Sequence, residues 1–299
     1  MRLGVWVREA IEPSLLMSFL LVSLGTSVAA WDGFFNLSYY VLCVIGVTLS
    51  QNAVNVLNDY HDYKTGVDAA TIKTPFSGGS KLLISGEIRP NQALTFGLVS
   101  LLLAIPIGGY FVFTRGIMLL AIVAVAGISV LFYTNAFARM YLGEFLAGLN
   151  LGPLAVVGAY FVQTTTISAG SIAIGLAPGI MISNVLYLNE LPDIEADAAG
   201  GRKNIPILLG RRRAAQLYAI LETIAVVWIP VAVVLRLIPL PTIIALASLP
   251  FATKAIRVTI HQFANSGNMI PALAANVATA YLTILLSAMG YIISVVFKQ

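Results

Sequence analysis

Long apolar segments separated by polar intervals dominate the pattern of this 299-residue chain. A helix needs roughly 20 apolar residues to cross a hydrocarbon core of about 30 Å. We predict a transmembrane helix for each of nine segments: 13–31, 37–57, 91–113, 115–134, 142–163, 168–189, 214–235, 238–256 and 269–297. The expected fold is an all-α, polytopic membrane protein, with about nine transmembrane helices bundled into a single domain over residues 1–299.

The composition agrees with this class and excludes an ordinary soluble domain. Hydrophobic residues make up 59% of the chain and charged residues only 10%, whereas charged residues approach about a quarter of a soluble domain. The single cysteine, Cys43, lies within an apolar segment and is expected to be a small core residue. No disulfide or metal–thiolate site is therefore available.

The distribution of Lys and Arg predicts the orientation in the membrane. Short cytoplasmic loops carry the excess of these residues. If the N-terminus is cytoplasmic, every Lys and Arg except Arg115, Arg236 and Lys298 falls on the cytoplasmic side. The two longest polar intervals, 63–90 and 190–213, then form cytoplasmic loops, and long loops are often functional. The net charge of +4 follows from this topology and implies no nucleic acid or protein partner.

Amide and carboxylate side chains collect at the end of the second apolar segment, in the stretch NAVNVLNDYHDYKTGVD of residues 52–68. If the helix continues, four of them share one face within roughly 100°: Asn55, Asn58, Asp59 and Asp62. Hard oxygen ligands suit Mg²⁺, which takes one or two carboxylates and completes its shell with water and substrate phosphates. The alternative is a helix end that surfaces into water, where Asn and Asp are common caps.

A second acidic stretch, NELPDIEAD of residues 189–197, ends another apolar segment. Asn189, Asp193 and Asp197 step by four and would share a helical face. This recurrence after four helices suggests two pseudo-repeated halves. Pro192 is expected to kink or restart the helix between them.

Glycines and basic residues follow each acidic stretch: Gly66, Gly78, Gly79 and Lys81 after the first, and Gly200, Gly201, Arg202 and Lys203 after the second. Glycine-rich backbone can turn its N–H groups toward an anion, although a flexible, solvated loop is the alternative. Two carboxylate clusters that face each other across a basic rim would hold a diphosphate through bridging Mg²⁺. Neither cluster could do so alone.

A secondary transporter also has repeated halves and polar residues in its helices. A charge at the centre of a bilayer costs at least about 2.5–3.5 kcal/mol, and the acidic residues here cluster instead at helix ends. Only Glu144 and Glu222 fall near or within predicted spans, and either could lie toward a helix end. A transport site at the membrane midplane is poorly supported.

The two acidic motifs resemble those of the UbiA superfamily of intramembrane prenyltransferases. The segment Asn58-Asp59-x-x-Asp62 is similar to the superfamily's N-D-x-x-D motif, and Asp193-Ile-Glu-Ala-Asp197 is similar to its D-x-x-x-D motif. Further segments resemble the branch that prenylates 1,4-dihydroxy-2-naphthoate in menaquinone biosynthesis: Tyr133-Thr134, Tyr141-Leu-Gly-Glu144, Gly152-Pro-Leu and Gly158-Ala-Tyr160.

The resemblance implies Mg²⁺-assisted ionisation of a polyprenyl diphosphate, followed by attack of an electron-rich ring carbon on the allylic cation. Its implied metal ligands are Asp59, Asp62, Asp193 and Asp197. The implied diphosphate contacts are Asn55, Asn58, Lys81, Arg139, Asn189, Arg202 and Lys203. Three tyrosines are candidates for facing the cation, with packing or interfacial anchoring as the alternative: Tyr133, Tyr160 and Tyr187. Where the family commonly has a third aspartate this chain has Gly66, and Asp68 is the candidate replacement.

The acceptor implied by the branch resemblance is 1,4-dihydroxy-2-naphthoate. Within the superfamily the alternatives include hydroxybenzoate and a geranylgeranylglyceryl phosphate, and the latter needs no aromatic pocket. The expected protein is thus a multi-pass cell-membrane enzyme with cytoplasmic active-site loops.

Overall fold

The computed structural model describes residues 13–66, 80–132, 137, 140–199 and 201–298. Over these residues the secondary structure is entirely helical. The α-helices are α1 (Pro13–Trp31), α2 (Leu37–Thr65), α3 (Pro90–Arg115), α4 (Leu119–Phe132), α5 (Gly143–Leu149), α6 (Ala155–Thr164), α7 (Ala169–Glu190), α8 (Ile194–Ala199), α9 (Ile205–Val234), α10 (Leu249–Gln262) and α11 (Ile270–Lys298). A π-helical turn (Asn150–Leu154) joins α5 to α6, and 3₁₀ helices (Leu240–Ser248 and Ser266–Met269) precede α10 and α11.

Seven helical segments in the described part of the chain are long and apolar enough to cross a membrane, and two shorter apolar helices accompany them. The shorter pair covers Leu15–Trp31 and Leu119–Phe132. Each of the nine apolar segments of the sequence thus corresponds to a helix. The prediction of an all-α, multi-pass membrane protein is confirmed, while the repeat of two similar halves stays a prediction.

The two largest differences between the helix boundaries and the sequence prediction both involve the polar intervals. Helix α2 continues to Thr65 before Gly66 ends it with a left-handed backbone conformation, φ 78°. Helix α9 begins at Ile205, where the Asn204 side chain caps it by accepting the Ile207 N–H. The segment 190–213, predicted as a loop, is therefore largely helical. The hydropathy pattern did not predict the last helical turns of α2 or the first turns of α9, because these turns carry polar residues.

The π-helical turn between α5 and α6 packs closely against α7. Leu151 departs from helical geometry in the π-helical turn that also contains Pro153. A Cβ atom at Gly152 would lie only 2.2 Å from the Cα of Gly179, so neither backbone could approach the other with a larger residue at position 152. This contact positions α7, and the second acidic motif continues from the end of that helix.

Candidate active site

The last turns of α2 place the first acidic motif at one end of a cavity inside the bundle. Asn55, Asn58, Asp59 and Asp62 all line this cavity, as their shared helical face predicts. The Asn58 amide donates a hydrogen bond of 2.8 Å to Asp62 Oδ2. Asp62 is only 6% exposed, while Asn55, Asn58 and Asp59 are half-buried, so the motif faces the cavity and is not a helix end surfacing freely into water.

The second motif reaches the same cavity by a different backbone path. Helix α7 ends at Glu190, a turn follows, and α8 begins at Ile194, as Pro192 led us to expect. The backbone N–H of Asp197 still donates to the Asp193 carbonyl at 2.8 Å, which keeps a helical relation across the restart. Asn189, Asp193 and Asp197 consequently all line the cavity.

Arg202 joins the two motifs. Its guanidinium forms ion pairs with Asp62 and with Asp197, the latter at 3.3 Å. Burial alone would lower the pKa of Arg202, but these two carboxylates hold it above its ordinary value. Burial raises the pKa of Asp197, and the positive charge of Arg202 opposes that rise. The predicted diphosphate contact thus lies between two predicted metal ligands, where it compensates their charge.

Three polar residues that the sequence motifs do not predict also lie at the acidic end of the cavity. Asn204 donates from its amide to Asp197 Oδ2 at 3.0 Å, and Glu144 accepts the N–H of Ile205 at 2.7 Å. Glu190 is buried, lines the cavity and lies beside Glu144. The sequence signal for Glu144 and Glu190 is an acidic residue within or next to an apolar span. Local spacing does not predict that Glu144 contacts the start of α9, because the two lie far apart in the sequence.

The predicted lysines lie near the acidic end without lining the cavity. The backbone N–H of Ser80, directly before Lys81, donates to Asp59 Oδ2 at 3.2 Å. Lys203 is exposed, and its carbonyl accepts the N–H of Tyr141 at 3.0 Å. Six predicted contributors lie outside the described residues: Asp68, Gly78, Gly79, Tyr133, Arg139 and Gly200.

Tyr160 and Tyr187 pack away from the cavity wall. The Tyr160 hydroxyl donates to Asp32 Oδ2 at 2.7 Å, and Asp32 directly follows the C-terminal end of α1. The Tyr187 hydroxyl donates to the Ala214 carbonyl at 3.1 Å, and its ring belongs to a buried cluster of apolar side chains. The structure therefore favours core packing for both and places neither ring where it would face a cation in the cavity.

The cavity has a volume of about 560 Å³ and becomes apolar away from the acidic end. It follows α2 from Asp62 to Cys43 and reaches Phe111 near the end of α3. By the helical rise of 1.5 Å per residue, this wall is roughly 28 Å long. A charged head at one end of a long apolar slot is the arrangement that an amphiphile with an anionic head requires.

The donor atoms fit a magnesium site that is shared with a substrate. Among the described residues, no group of three or more His, Cys, Asp or Glu side chains is placed to hold a metal ion. Mg²⁺ commonly binds one or two carboxylates and takes its remaining ligands from water and substrate phosphates. The carboxylate and amide oxygens of the two motifs line one cavity, so a diphosphate between them could complete such a site.

Comparison with known sequences agrees with this arrangement. The family model described as the UbiA prenyltransferase family matches residues 16–268. A 1,4-dihydroxy-2-naphthoate octaprenyltransferase of Bacillus subtilis (strain 168) is 30% identical over 220 residues, which cover 72% of this chain and 69% of that protein.

Solved structures show the same helical fold. A UbiA homologue from Aeropyrum pernix superposes with a TM-score of 0.67 at 17% identity, over 94% of this chain and 97% of its own. A UbiA homologue from Archaeoglobus fulgidus, bound to GPP and Mg²⁺, has a TM-score of 0.52 at 14% identity and covers 93% of this chain and 99% of its own.

Proposed function

Because the chain belongs to the UbiA prenyltransferase family, we propose that it transfers a polyprenyl group from a polyprenyl diphosphate to 1,4-dihydroxy-2-naphthoate, with Mg²⁺ as cofactor. The observation that carries the proposal is the convergence of both acidic motifs on Arg202 at one end of a long apolar cavity. The acceptor rests on the Bacillus subtilis relative, which is named for that naphthoate.

The acidic end would bind the diphosphate head. Asp59, Asp62, Asp193 and Asp197 would hold Mg²⁺, which would neutralise charge on the departing diphosphate. Arg202 pairs with Asp62 and Asp197 and would add a fixed positive charge beside the diphosphate once a metal binds these carboxylates. Fixed charges aimed at a leaving group are among the strongest catalytic contributions a protein makes.

The apolar remainder of the cavity would hold the isoprenoid tail and keep water from the reacting carbon. When the bond between C1 of the prenyl group and the diphosphate oxygen breaks, the electron pair leaves with the diphosphate. The resulting allylic cation reacts with any nearby nucleophile, so exclusion of water favours attack by the acceptor's ring carbon. That carbon then releases the proton, or the carboxylate as CO2, that it carried, and the ring regains its aromaticity. Leu151 and Val185 belong to the apolar lining.

An acceptor panel tests the proposal. Purified protein in nanodiscs would receive geranylgeranyl diphosphate and, in separate reactions, dihydroxynaphthoate, hydroxybenzoate, homogentisate or geranylgeranylglyceryl phosphate, with Mg²⁺ or with a chelator. We expect Mg²⁺-dependent prenylation of dihydroxynaphthoate. Robust turnover of another acceptor alone would overturn the acceptor assignment, and turnover unaffected by the chelator would overturn the role of Mg²⁺.

The orientation is part of the same proposal. We place the N-terminus and both acidic motifs on the cytoplasmic side of the cell membrane, since the excess of Lys and Arg lies with them. Cysteines introduced at Thr71 and Ala199, in a Cys43→Ser background, should react with an impermeant label only from the cytoplasm. Labelling of the two positions from opposite sides would contradict a shared site.

A further inference from the structure

A second pocket, with a volume of about 480 Å³, lies at the end of the bundle opposite the acidic motifs. It forms where α1 and α9 end and α7 begins, and α11 contributes one wall. Its polar lining residues are Asp32, Ser168, Arg236 and Tyr291. The volume is in the range of about 300–1,000 Å³ that is typical of small-molecule sites. None of these four residues takes part in the proposed transfer of a prenyl group.

Tyr291 supplies a buried hydrogen-bond donor to this pocket. Its side chain is only 1% exposed, and its hydroxyl has no hydrogen-bond partner within the part of the chain that the structure describes. A Cβ atom built at Gly170 would lie 3.6 Å from the Tyr291 hydroxyl oxygen, so this hydroxyl sits beside the first turn of α7. Because a buried tyrosine hydroxyl usually has a partner, this donor is available to a ligand.

The first turn of α7 and Arg236 bring positive charge to the same space. The side chain of Ser168 accepts the Ser171 N–H at 3.0 Å, and the N–H groups before it remain at the positive end of the helix. Arg236 is exposed and lines the pocket, so it places a full positive charge at the rim. A helix N-terminus, a hydroxyl and a guanidinium that border one space form a suitable site for a phosphate group.

Asp32 adds a negative charge to the pocket. Its Oδ2 atom accepts the Tyr160 hydroxyl at 2.7 Å, while Oδ1 has no hydrogen-bond partner in the described ranges. Asp32 also lies close to Tyr291. A carboxylate repels a bare phosphate but accepts strong hydrogen bonds from an ammonium group. The lining therefore fits a ligand that carries both a phosphate and an ammonium group.

The surroundings place this pocket at a membrane interface. Trp31 lines it and is half-buried, and tryptophan is enriched at the level of lipid headgroups. Leu240 also lines it and is 67% exposed, so apolar surface continues from the pocket to the outside of the bundle. A ligand there meets polar groups inside the pocket and hydrocarbon beside it.

We propose that this pocket binds the headgroup of an ethanolamine phospholipid from the leaflet opposite the acidic motifs. The phosphate accepts hydrogen bonds from Tyr291, from the first turn of α7 and from Arg236. The ammonium group donates to Asp32, and the acyl chains extend past Leu240 into the bilayer. The lipid would link the ends of α1, α7 and α9.

Thermal stabilisation of the purified, delipidated protein in detergent measures this binding. Separate titrations use dihexanoyl phosphatidylethanolamine, the corresponding phosphatidylcholine and phosphatidylglycerol, glycerophosphoethanolamine and inorganic phosphate. We expect the ethanolamine lipid to bind at least about tenfold more tightly than the other two lipids, because choline has no N–H to donate to Asp32 and glycerol has no positive charge. Glycerophosphoethanolamine lacks acyl chains and should bind more weakly than the ethanolamine lipid, and inorganic phosphate should bind weakest.

Three conservative substitutions test the contacts. Tyr291→Phe and Arg236→Gln should each weaken binding of the ethanolamine lipid about tenfold, since each removes a hydrogen bond to a charged group. Asp32→Asn keeps an oxygen that can accept from Tyr160 and should abolish the preference for ethanolamine over glycerol headgroups. Tyr110→Phe is the matched control and should bind like the parent, because Tyr110 is 45% exposed near the end of α3 and does not line the pocket.

Equal binding of the three lipids by the parent, or a preference that all three substitutions leave unchanged, would overturn the inference. Inorganic phosphate that binds as tightly as the ethanolamine lipid would also overturn it, because the pocket would then be a simple anion site. Size-exclusion chromatography establishes folding, and if one variant does not fold the other two decide. Lipid binding is measured without prenyl donor or acceptor, so its failure is distinct from a failure of prenyl transfer.

Discussion

The two acidic motifs deliver the same kinds of side chain to one cavity, but on backbones of different construction. The first lies on an unbroken helix, whose last turns carry Asp59 and Asp62. The second crosses from α7 to α8 through a turn that contains Pro192. The first position is fixed by helical periodicity alone, whereas the second also depends on packing that holds α8 against its neighbours.

That packing is visible around α8 and the segment after it. Arg211 donates to the carbonyl of Leu191 at 3.0 Å and to the Glu195 carboxylate at 2.6 Å. The Arg202 N–H donates to the Asp197 carbonyl at 2.9 Å, which closes the turn after α8. The position of the second motif therefore depends on contacts from outside its own helix.

The largest effects should come from removing a carboxylate of either motif. Asp62→Ala and Asp193→Ala should each lower the rate of prenyl transfer by at least about 10²-fold, as for loss of one preorganised stabilising group. If both act on one diphosphate, the double variant should be little worse than the poorer single variant, because the remaining half-site cannot clamp the diphosphate. Single-turnover transfer across a Mg²⁺ titration measures this.

Size-exclusion chromatography would establish that the three variants fold. Strictly multiplicative losses would show that the motifs act independently. A well-folded Asp193→Ala protein with full activity would show that the second motif has no part in the chemistry.

A smaller effect is expected for Arg202, which joins the motifs. Arg202→Gln should lower the transfer rate about 10- to 100-fold by removing a fixed charge from the leaving group. The same change leaves Asp62 and Asp197 without their cation, so their mutual repulsion should strengthen Mg²⁺ binding in the absence of donor. Arg202→Lys, which keeps the charge but loses the forked geometry, should lie between the parent and Arg202→Gln in both measurements.

Calorimetric Mg²⁺ titration without donor separates these contributions. Weaker Mg²⁺ binding by Arg202→Gln would mean that the guanidinium supports the metal site instead of competing with it. The prediction would then be wrong even if the rate fell as expected.

The sequence predicted the membrane fold and the shared helical face of the first motif well, because both depend on local periodicity. The face shared by Asn55 and Asp62 follows from 3.6 residues per turn, and α2 continues through it. The pairing of Arg202 with Asp62 connects residues 140 positions apart, and no local pattern encodes such a contact. Glu144 capping the start of α9 escaped prediction for the same reason.

Pro192 offers a test of the broken helix itself. Pro192→Ala restores a residue that permits continuous helix, so α7 should tend to extend toward α8 and rotate Asp193 relative to Asp197. Because the contacts of Arg211 and Arg202 still hold this region, we expect the transfer rate to fall by less than about tenfold, well below the loss of a metal ligand. A loss as large as that of Asp193→Ala would show that the restart is essential to the site.

The smallest effect on activity should come from Tyr187, which lies close to the second motif in sequence but outside the cavity wall. Tyr187→Phe removes the hydroxyl that donates to the Ala214 carbonyl at 3.1 Å and keeps the ring in its buried cluster. The loss of this buried hydrogen bond should lower the free energy of unfolding by about 1 kcal/mol, and the melting temperature in detergent should fall with it. The kinetic constants kcat and the donor KM should stay within about twofold of the parent. That change is well under the factor of ten that 1.4 kcal/mol represents.

Tyr160→Phe serves as the matched variant, because its hydroxyl also makes a hydrogen bond, to Asp32, far from the acidic end. A drop in kcat for Tyr187→Phe but not for Tyr160→Phe, at equal loss of stability, would mean that the Tyr187 hydroxyl acts on the second motif through α7. Equal and unchanged kcat values would show that the Tyr187 hydroxyl has no part in the reaction.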